Sequence, residues 1–486
     1  MDPRTRVLLE APIGQTIVRL ALPNVVVMVV QAAIGLIETY FIAKLGTDAL
    51  AGLALVFPVQ MLIVMISAGA MGGGILSAVA RALGSGRAHD ANALAWQAVW
   101  IALLLGALTS VVVLASGTPL YTAMGGTGGS LAAALIYSNV VFAGAIPLWL
   151  FNSLAAVIRG TGNMFVPAAV TAIGAAILIP LSPVMIFGLG PIPGFGIAGG
   201  ATAVLIFYVL GSAFFAFYLW SRRGVLAPSL RPQGPRWPLM RDILRIGALS
   251  SISSFSTNLT IAVATALVGF YGPAAIAGFG TAVRLEYLLV PLVFGIGAPV
   301  ASMVGTNIGA GQRQRALRIA WTGAAISGGI TSAIGIAVAL WPHLWLSLFG
   351  DDATMNAVGS QYLRIVGPFY GFFGAGLALY FASQGAGRIF WQTVSAILRV
   401  IVAGGGGWLA ARLAGGTAGV FAALAAALVL YGTINAVTVA MGVWFRGTSA
   451  SALHSAGASR NGDACLSVLP PRNQTPMATV TALIVP

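Results

Sequence analysis

The sequence LGTDALAG at residues 45–52 recurs as YGPAAIAG at residues 271–278. Two further turns repeat in the same order and at nearly the same displacement: LGSGR at 83–87 with IGAGQ at 308–312, and RGTGN at 159–163 with QGAGR at 384–388. Three matches in one order indicate a duplicated chain. The repeat therefore predicts two structurally similar halves.

The composition places this duplication in a membrane. Hydrophobic residues make up 58% of the chain and charged residues 7%, against about a quarter charged in a soluble domain. Apolar runs of about 20 residues or more, long enough to cross a bilayer as helix, recur along the chain. Twelve spans are predicted, at residues 16–43, 50–80, 92–115, 131–157, 165–187, 197–220, 243–270, 275–304, 316–341, 360–383, 390–411 and 414–444.

The predicted fold class is an all-α integral membrane protein with twelve transmembrane helices in two pseudo-symmetric six-helix lobes. Because six spans separate equivalent helices, both copies have the same orientation, and a cleft between them is the natural place for a substrate. The predicted division is an amino-terminal lobe at 1–220, a Pro- and Arg-rich cytoplasmic linker at 221–241, a carboxy-terminal lobe at 242–445 and a disordered cytoplasmic tail at 446–486. The single cysteine, Cys465, lies in that tail and excludes an intrachain disulfide framework.

The arginines near span ends determine the predicted orientation. They lie on the side of the amino terminus, whereas the opposite loops hold only Lys44 and Arg412. Basic residues favour cytoplasmic loops, so both termini are predicted to be cytoplasmic. The net charge of +14 thus belongs to membrane-flanking loops, and no nucleic-acid partner is expected. No removable signal peptide is predicted in the first residues.

Two of the ten acidic residues, Glu38 and Glu286, lie well within spans. A charged side chain in hydrocarbon costs at least about 2.5–3.5 kcal/mol, and such residues usually have a function. Desolvation favours the neutral form of Glu38, which could exchange a proton or bind sodium with nearby hydroxyl and amide oxygens. The alternative is a carboxylate at the outer interface that is capped by Lys44 or by a backbone group.

Several motifs together resemble the MATE (multidrug and toxic compound extrusion) family over residues 16–444. These are Glu38 followed by TYFIAKLG, the Gly-x-Gly turns after the second and eighth spans, and the RGTG and QGAG turns at 159 and 384. The resemblance implies a bacterial inner-membrane antiporter, not an enzyme, that works by alternating access. It would export organic, often cationic, compounds in exchange for protons or sodium. No cofactor is expected, and a monomer in the lipid bilayer is predicted.

The predicted ion-coupling residues are Glu38, Gln60, Asn152 and Ser182, the last two if the helices pack as in the family. No metal site is expected beyond a sodium ion near Glu38. Family members commonly have Asp at the position of Glu38, and many have an Asn and an Asp in the fifth span, where this chain has Leu178 and Ser182. With fewer acidic partners, a proton shared by Glu38 and neutral oxygens is favoured over a multi-carboxylate sodium site.

The predicted substrate-binding residues are Glu286, Arg284, Tyr287, Tyr40 and Tyr370. Glu286 would attract a cationic substrate while Glu38 couples to the ion. Aromatic rings could stack on a flat cation.

The repeat places Glu38 on Ala264 and Glu286 on Gln60, so the two acids are not symmetry mates. For Glu286 the alternative is an internal ion pair with Arg284, Arg364 or Arg399 that locks helices together.

Other functions are weighed against the exporter. The three histidines lie in loops or the tail, so an intramembrane enzyme lacks a buried base. A channel is disfavoured because the parallel repeat carries no filter motif. A flippase of lipid-linked sugars or other amphiphiles would share the fold, and Arg284, Arg364 and Arg399 would suit its cationic cavity.

Overall fold

The computed structural model describes residues 2–190, 192–350, 352–413 and 415–445, without the side chains of residues 28–34, 36 and 192. The tail predicted at 446–486, with Cys465, lies outside the described residues. Apart from connecting segments such as residues 221–236, the described chain is helical. It also has one short antiparallel hairpin of β1 and β2, in which Gly188 pairs with Pro193 and Leu189 with Ile192.

The elements of the amino half are α1 (Pro3–Glu10), α2 (Ile13–Ala43), α3 (Thr47–Val64), a π-helical segment (Met65–Met71), α4 (Gly72–Gly84), α5 (Ala88–Ala123), α6 (Gly128–Ala143), α7 (Ala145–Gly160), α8 (Phe165–Phe187), β1 (Gly188–Leu189), β2 (Ile192–Pro193) and α9 (Ile197–Trp220).

The elements of the carboxy half are α10 (Trp237–Gly269), α11 (Pro273–Gly309), α12 (Arg313–Leu340), α13 (His343–Leu346), α14 (Ala353–Val366), a 3-10 turn (Gly367–Phe369), α15 (Tyr370–Gly385), α16 (Phe390–Ile401), a π-helical segment (Val402–Gly406), α17 (Gly407–Arg412), α18 (Gly416–Ala440) and a 3-10 turn (Val443–Phe445).

These helices account for the predicted membrane spans. Ten described helical segments are long and apolar enough to cross a bilayer, and α6 with α7 forms a further span that is bent by 51° at Gly144. Helix α2, with 31 residues, completes the set. The predicted all-α membrane fold is confirmed, and α8 and α9 have the predicted bounds. Helix α10 begins at Trp237, inside the predicted linker, because Pro238 is favourable in a first helical turn.

Glycines bring the two halves into close contact at α4. A Cβ atom at Gly73 would overlap the side chain of Gln384, and one at Gly74 would lie 2.7 Å from the carbonyl oxygen of Ile243. Both partners belong to the carboxy half. The glycine-rich run at residues 69–74 therefore permits helix packing, as small residues do in membrane interfaces, and its first part adopts the π-helical segment Met65–Met71.

Named polar contacts between the halves extend from the π-helical segment before α4 to the carboxyl end of α4. The Ser77 hydroxyl donates to the carbonyl oxygen of Gly385 at 2.9 Å, and Gln384 Nε2 donates to the carbonyl oxygen of Gly69 at 3.1 Å. An ion pair of 2.7 Å joins Arg81 to Asp242. The halves thus meet at the end of the bundle that was predicted to be cytoplasmic.

Candidate functional site

Glu38 lies near the carboxyl end of α2 and is half-buried. Its Oε1 atom accepts a hydrogen bond of 2.8 Å from the hydroxyl of Tyr137 on α6, a side chain that is 1% exposed. Gly200 on α9 approaches the same oxygen, since a Cβ there would lie 3.7 Å from Oε1. Three helices of the amino lobe therefore enclose the carboxyl group.

The described residues place no cation in ion-pair contact with Glu38. Lys44, which the capping alternative invoked, extends over the ring of Tyr40, with Nζ 4.6 Å from the ring centroid. Capping of Glu38 by Lys44 is therefore not observed. The carboxyl group is held by a neutral hydroxyl, which is a suitable partner for both the ionised and the protonated form.

The other predicted ion-coupling residues are not hydrogen-bonded to Glu38. Asn152 Nδ2 donates to the Ser67 hydroxyl at 2.8 Å. The Ser182 hydroxyl is buried without a hydrogen-bond partner in the described part of the chain, and Gln60 is half-buried. Asn152 lies on α7, which is bent by 51° relative to α6, the helix that carries Tyr137.

Metal binding at Glu38 would depend on neutral oxygens. No group of three or more His, Cys, Asp or Glu residues that could hold a metal ion occurs among the described residues. A sodium ion prefers several oxygen ligands, so it would need hydroxyl, amide or backbone oxygens besides the single carboxylate.

Glu286 lies inside the carboxy lobe and is 5% exposed. Its Oε1 atom pairs with Arg399 Nη2 at 2.5 Å, and its Oε2 atom accepts a hydrogen bond of 3.1 Å from the Tyr362 hydroxyl. Arg399 is 3% exposed, and its guanidinium lies 5.1 Å from the ring centroid of Phe373 and 5.8 Å from that of Tyr431. Of the two sequence interpretations, this geometry matches the internal ion pair.

The predicted substrate-binding residues do not form one cluster. Tyr370 is fully buried in the carboxy-lobe core together with Glu286's partner Tyr362. Tyr40 and Tyr287 are exposed, at 59% and 46%. Arg284 is also exposed, and its guanidinium lies 5.4 Å from the ring centroid of Phe349. The structure thus separates two core residues from three that are available at the surface of the helices.

Tyr137 and Tyr362, the hydrogen-bond partners of the two intramembrane acids, were missed in the sequence. The spacing that aligns Leu83 with Ile308 and Arg159 with Gln384 also aligns Tyr137 with Tyr362. Each of these tyrosines donates to the intramembrane acid of its own lobe. An identical polar residue at equivalent positions of both repeats was the signal that could have found them.

Comparison with known proteins gives a consistent set of relatives. The MatE family model matches residues 23–184 and 250–406. The FAD transporter of Shewanella oneidensis is 29% identical over 75% of this chain and 80% of its own length. The probable multidrug resistance protein NorM of Thermotoga maritima is 25% identical over 78% of this chain and 82% of its own length. A multidrug resistance MATE family transporter of the MOP superfamily, solved in an outward-facing conformation, superposes with a TM-score of 0.83 at 25% identity, covering 91% of this chain and 98% of that one.

Proposed function

This chain belongs to the MatE family of membrane transporters, and we propose that it is a secondary active antiporter that exports organic compounds in exchange for a cation bound at Glu38. The proposed coupling ion is the proton. The proposed location is a bacterial cytoplasmic membrane, with both termini in the cytoplasm and the chain acting as a monomer.

The contact between Glu38 and Tyr137 carries this proposal. Glu38 is a carboxyl group inside a membrane helix without an ion-pair partner among the described residues. A hydroxyl can donate to the carboxylate or accept from the protonated acid, so one site supports both states. Release of the proton leaves a charge that costs free energy in an apolar setting. That cost is lower when Glu38 is exposed to water. Proton release therefore favours an arrangement of the lobes that exposes Glu38, and this couples the proton to movement of the lobes.

The contacts between the lobes support alternating access. They run along α4 through Ser77 and Gln384 and reach its carboxyl end at the Arg81–Asp242 pair. With the proposed orientation this is the cytoplasmic end. The described arrangement would then be an outward-open state, in which Glu38 is accessible from the outer side.

Transport into inverted membrane vesicles tests the proposal. Uptake of ethidium would be measured with an imposed proton gradient and, separately, with a sodium gradient. We expect the proton gradient to drive uptake and Glu38→Gln to lower it by about tenfold or more, which corresponds to at least about 1.4 kcal/mol. The matched control is Glu10→Gln, since Glu10 is 59% exposed and pairs with Arg6 in α1. Unimpaired uptake by Glu38→Gln would refute the coupling role.

An anionic substrate is the second candidate, because Glu286 is neutralised by Arg399 and no longer supplies a free negative charge in the carboxy lobe. The exposed Arg284 and Arg364 would favour an anion, and one relative is a FAD transporter. The same vesicles, supplied with FAD, distinguish the classes. FAD uptake that exceeds ethidium uptake and falls in Arg284→Gln would favour the anion. The flippase alternative would require movement of a lipid-linked sugar in that assay.

A further inference from the structure

We propose that Arg399 is a tethered cation that permanently occupies the carboxy-lobe counterpart of the Glu38 site, so that this chain exchanges its coupling ion at the amino lobe alone. The inference rests on the proposed function only in describing the exchanged ion as the coupling ion. The occupancy of the carboxy-lobe site can be tested without transport.

The two sites lie at equivalent positions of the two repeats, although Glu38 and Glu286 do not align with each other in the repeat. Tyr137 and Tyr362 occupy matching repeat positions, and each donates to a carboxylate, at 2.8 Å and 3.1 Å. Ala264, which is the repeat mate of Glu38, lines a small cavity together with Glu286, Tyr362 and Arg399. The acid has therefore moved from the first helix of the lobe to the second while still reaching the same tyrosine.

The difference lies in what faces the second carboxylate oxygen. In the carboxy lobe, Arg399 Nη2 lies 2.5 Å from Glu286 Oε1 and the guanidinium is enclosed. The alignment of Phe165 with Phe390 places Gly174 at the position of Arg399 in the amino lobe. Glycine leaves that lobe without the fixed charge.

The space around Glu286 leaves little room for another ion. The cavity it lines has a volume of about 10 Å³, which is at the lower limit for one water molecule. The Arg399 guanidinium also lies near the rings of Phe373 and Tyr431, and aromatic faces stabilise a cation. The position is thus filled by a cation that cannot leave.

The groups that face each acid are few among the described residues. Besides Arg399, those around Glu286 are the phenols of Tyr362, Tyr370 and Tyr287. Those around Glu38 are the phenols of Tyr137 and Tyr208. Arginine remains charged under all ordinary conditions. The Glu286 carboxylate therefore faces a fixed positive charge, whereas the named partner of Glu38 is a neutral hydroxyl.

Infrared difference spectroscopy of the purified full-length chain tests this assignment, because the carbonyl band of a protonated carboxyl group is distinct from carboxylate bands. We expect wild type to titrate one such band, which disappears in Glu38→Gln. Arg399→Met should add a second titrating band, or a sodium-binding site detected with radioactive sodium, and Glu286→Gln/Arg399→Met should lose it. Arg399→Lys, which retains the charge, should resemble wild type. A folded Arg399→Met chain that gains neither proton nor sodium at Glu286 would overturn the proposal.

A second pair of variants serves if Arg399→Met does not fold. Tyr137→Phe and Tyr362→Phe each remove one hydroxyl from equivalent positions. We expect Tyr137→Phe to shift the protonation midpoint of the wild-type band and Tyr362→Phe to leave that band unchanged. A titrating carboxyl band that depends on Tyr362 would mean that Glu286 exchanges protons in the wild type, and Arg399 would not be a resident cation.

The outcome is separable from that of the transport assay. The exporter proposal would be contradicted by proton-independent uptake, or by unchanged uptake in Glu38→Gln. The present proposal would be contradicted by a carboxy-lobe band that titrates in the wild type, or by a folded Arg399→Met chain that gains neither a titrating band nor sodium binding. Either result can occur without the other.

Discussion

In each lobe, a glutamate accepts a hydrogen bond from a tyrosine at an equivalent repeat position. The two lobes differ in how the carboxyl group is stabilised away from water. Glu38 is half-buried and has a neutral hydroxyl as its named partner. Glu286 is 5% exposed and is paired with Arg399. A buried charge must be neutralised by protonation or by a partner. Under the proposal made above, one helix position, occupied by Gly174 in one lobe and Arg399 in the other, distinguishes an exchangeable site from a structural one.

The largest expected effect is on stability in the carboxy lobe. Glu286→Gln should lower the free energy of unfolding by about 3–5 kcal/mol, because it leaves the Arg399 guanidinium buried without a counter-ion. Glu38→Gln should cost less than about 1 kcal/mol, since an amide oxygen can still accept from Tyr137. Denaturation of the full-length chain in detergent, followed by circular dichroism, measures both.

The double variant Glu286→Gln/Arg399→Met is the control for that comparison. It removes both charges and should recover much of the loss seen with Glu286→Gln alone, as expected for coupled residues. Equal losses for the two glutamate variants would mean that the lobes do not differ in the way proposed.

A smaller effect is expected when the Glu38 side chain is shortened. Glu38→Asp withdraws the carboxyl group by one methylene from Tyr137 and should slow transport by about tenfold, since a hydrogen bond to a charged group contributes about 1.5–3 kcal/mol. Tyr137→Phe should slow it by a comparable factor. Initial rates in vesicles give the double-mutant cycle, and the combined variant should lose little beyond either single change. Fully additive losses would indicate that the two groups act separately.

The sequence predicted the fold well because its signals are local or repeated. Apolar length alone located α8 and α9 with their observed bounds, and the turn repeats predicted two lobes. The partners of the acids depend on how each helix is rotated and bent. Asn152 was predicted as an ion-coupling residue with Glu38, and the structure shows its amide donating to the Ser67 hydroxyl.

For Glu286 the sequence offered three arginines, and only packing selects among them. Arg399 points into the lobe, while Arg284 and Arg364 are exposed. Arg399 pairs with Glu286 because it is buried beside it, and spacing along the chain does not reveal which arginine is buried.

The smallest expected effect concerns the ion pair that joins the lobes. Arg81 and Asp242 lie 2.7 Å apart, but their side chains are 19% and 48% exposed, so the pair should contribute about 0.2–1 kcal/mol. Asp242→Asn should therefore shift the population toward opening at this end by no more than about fivefold. Spin labels at Ser85→Cys and Gln312→Cys, in a Cys465→Ser background, would report the distance between the lobes. Asp90→Asn, which removes a pair within the amino lobe, is the control.

The salt dependence of this shift distinguishes the pair from the lobe sites. A partly exposed pair is screened, so the effect of Asp242→Asn should diminish as the ionic strength rises. The Glu286–Arg399 pair is excluded from solvent and should keep its effect on stability in the same salt. Because the Arg81–Asp242 contact lies at the opposite end of the bundle from Glu38, the variant should alter opening while the protonation midpoint of Glu38 stays constant. A shift of that midpoint together with the distance would mean that gating and proton binding are one equilibrium, carried by the amino lobe as a whole.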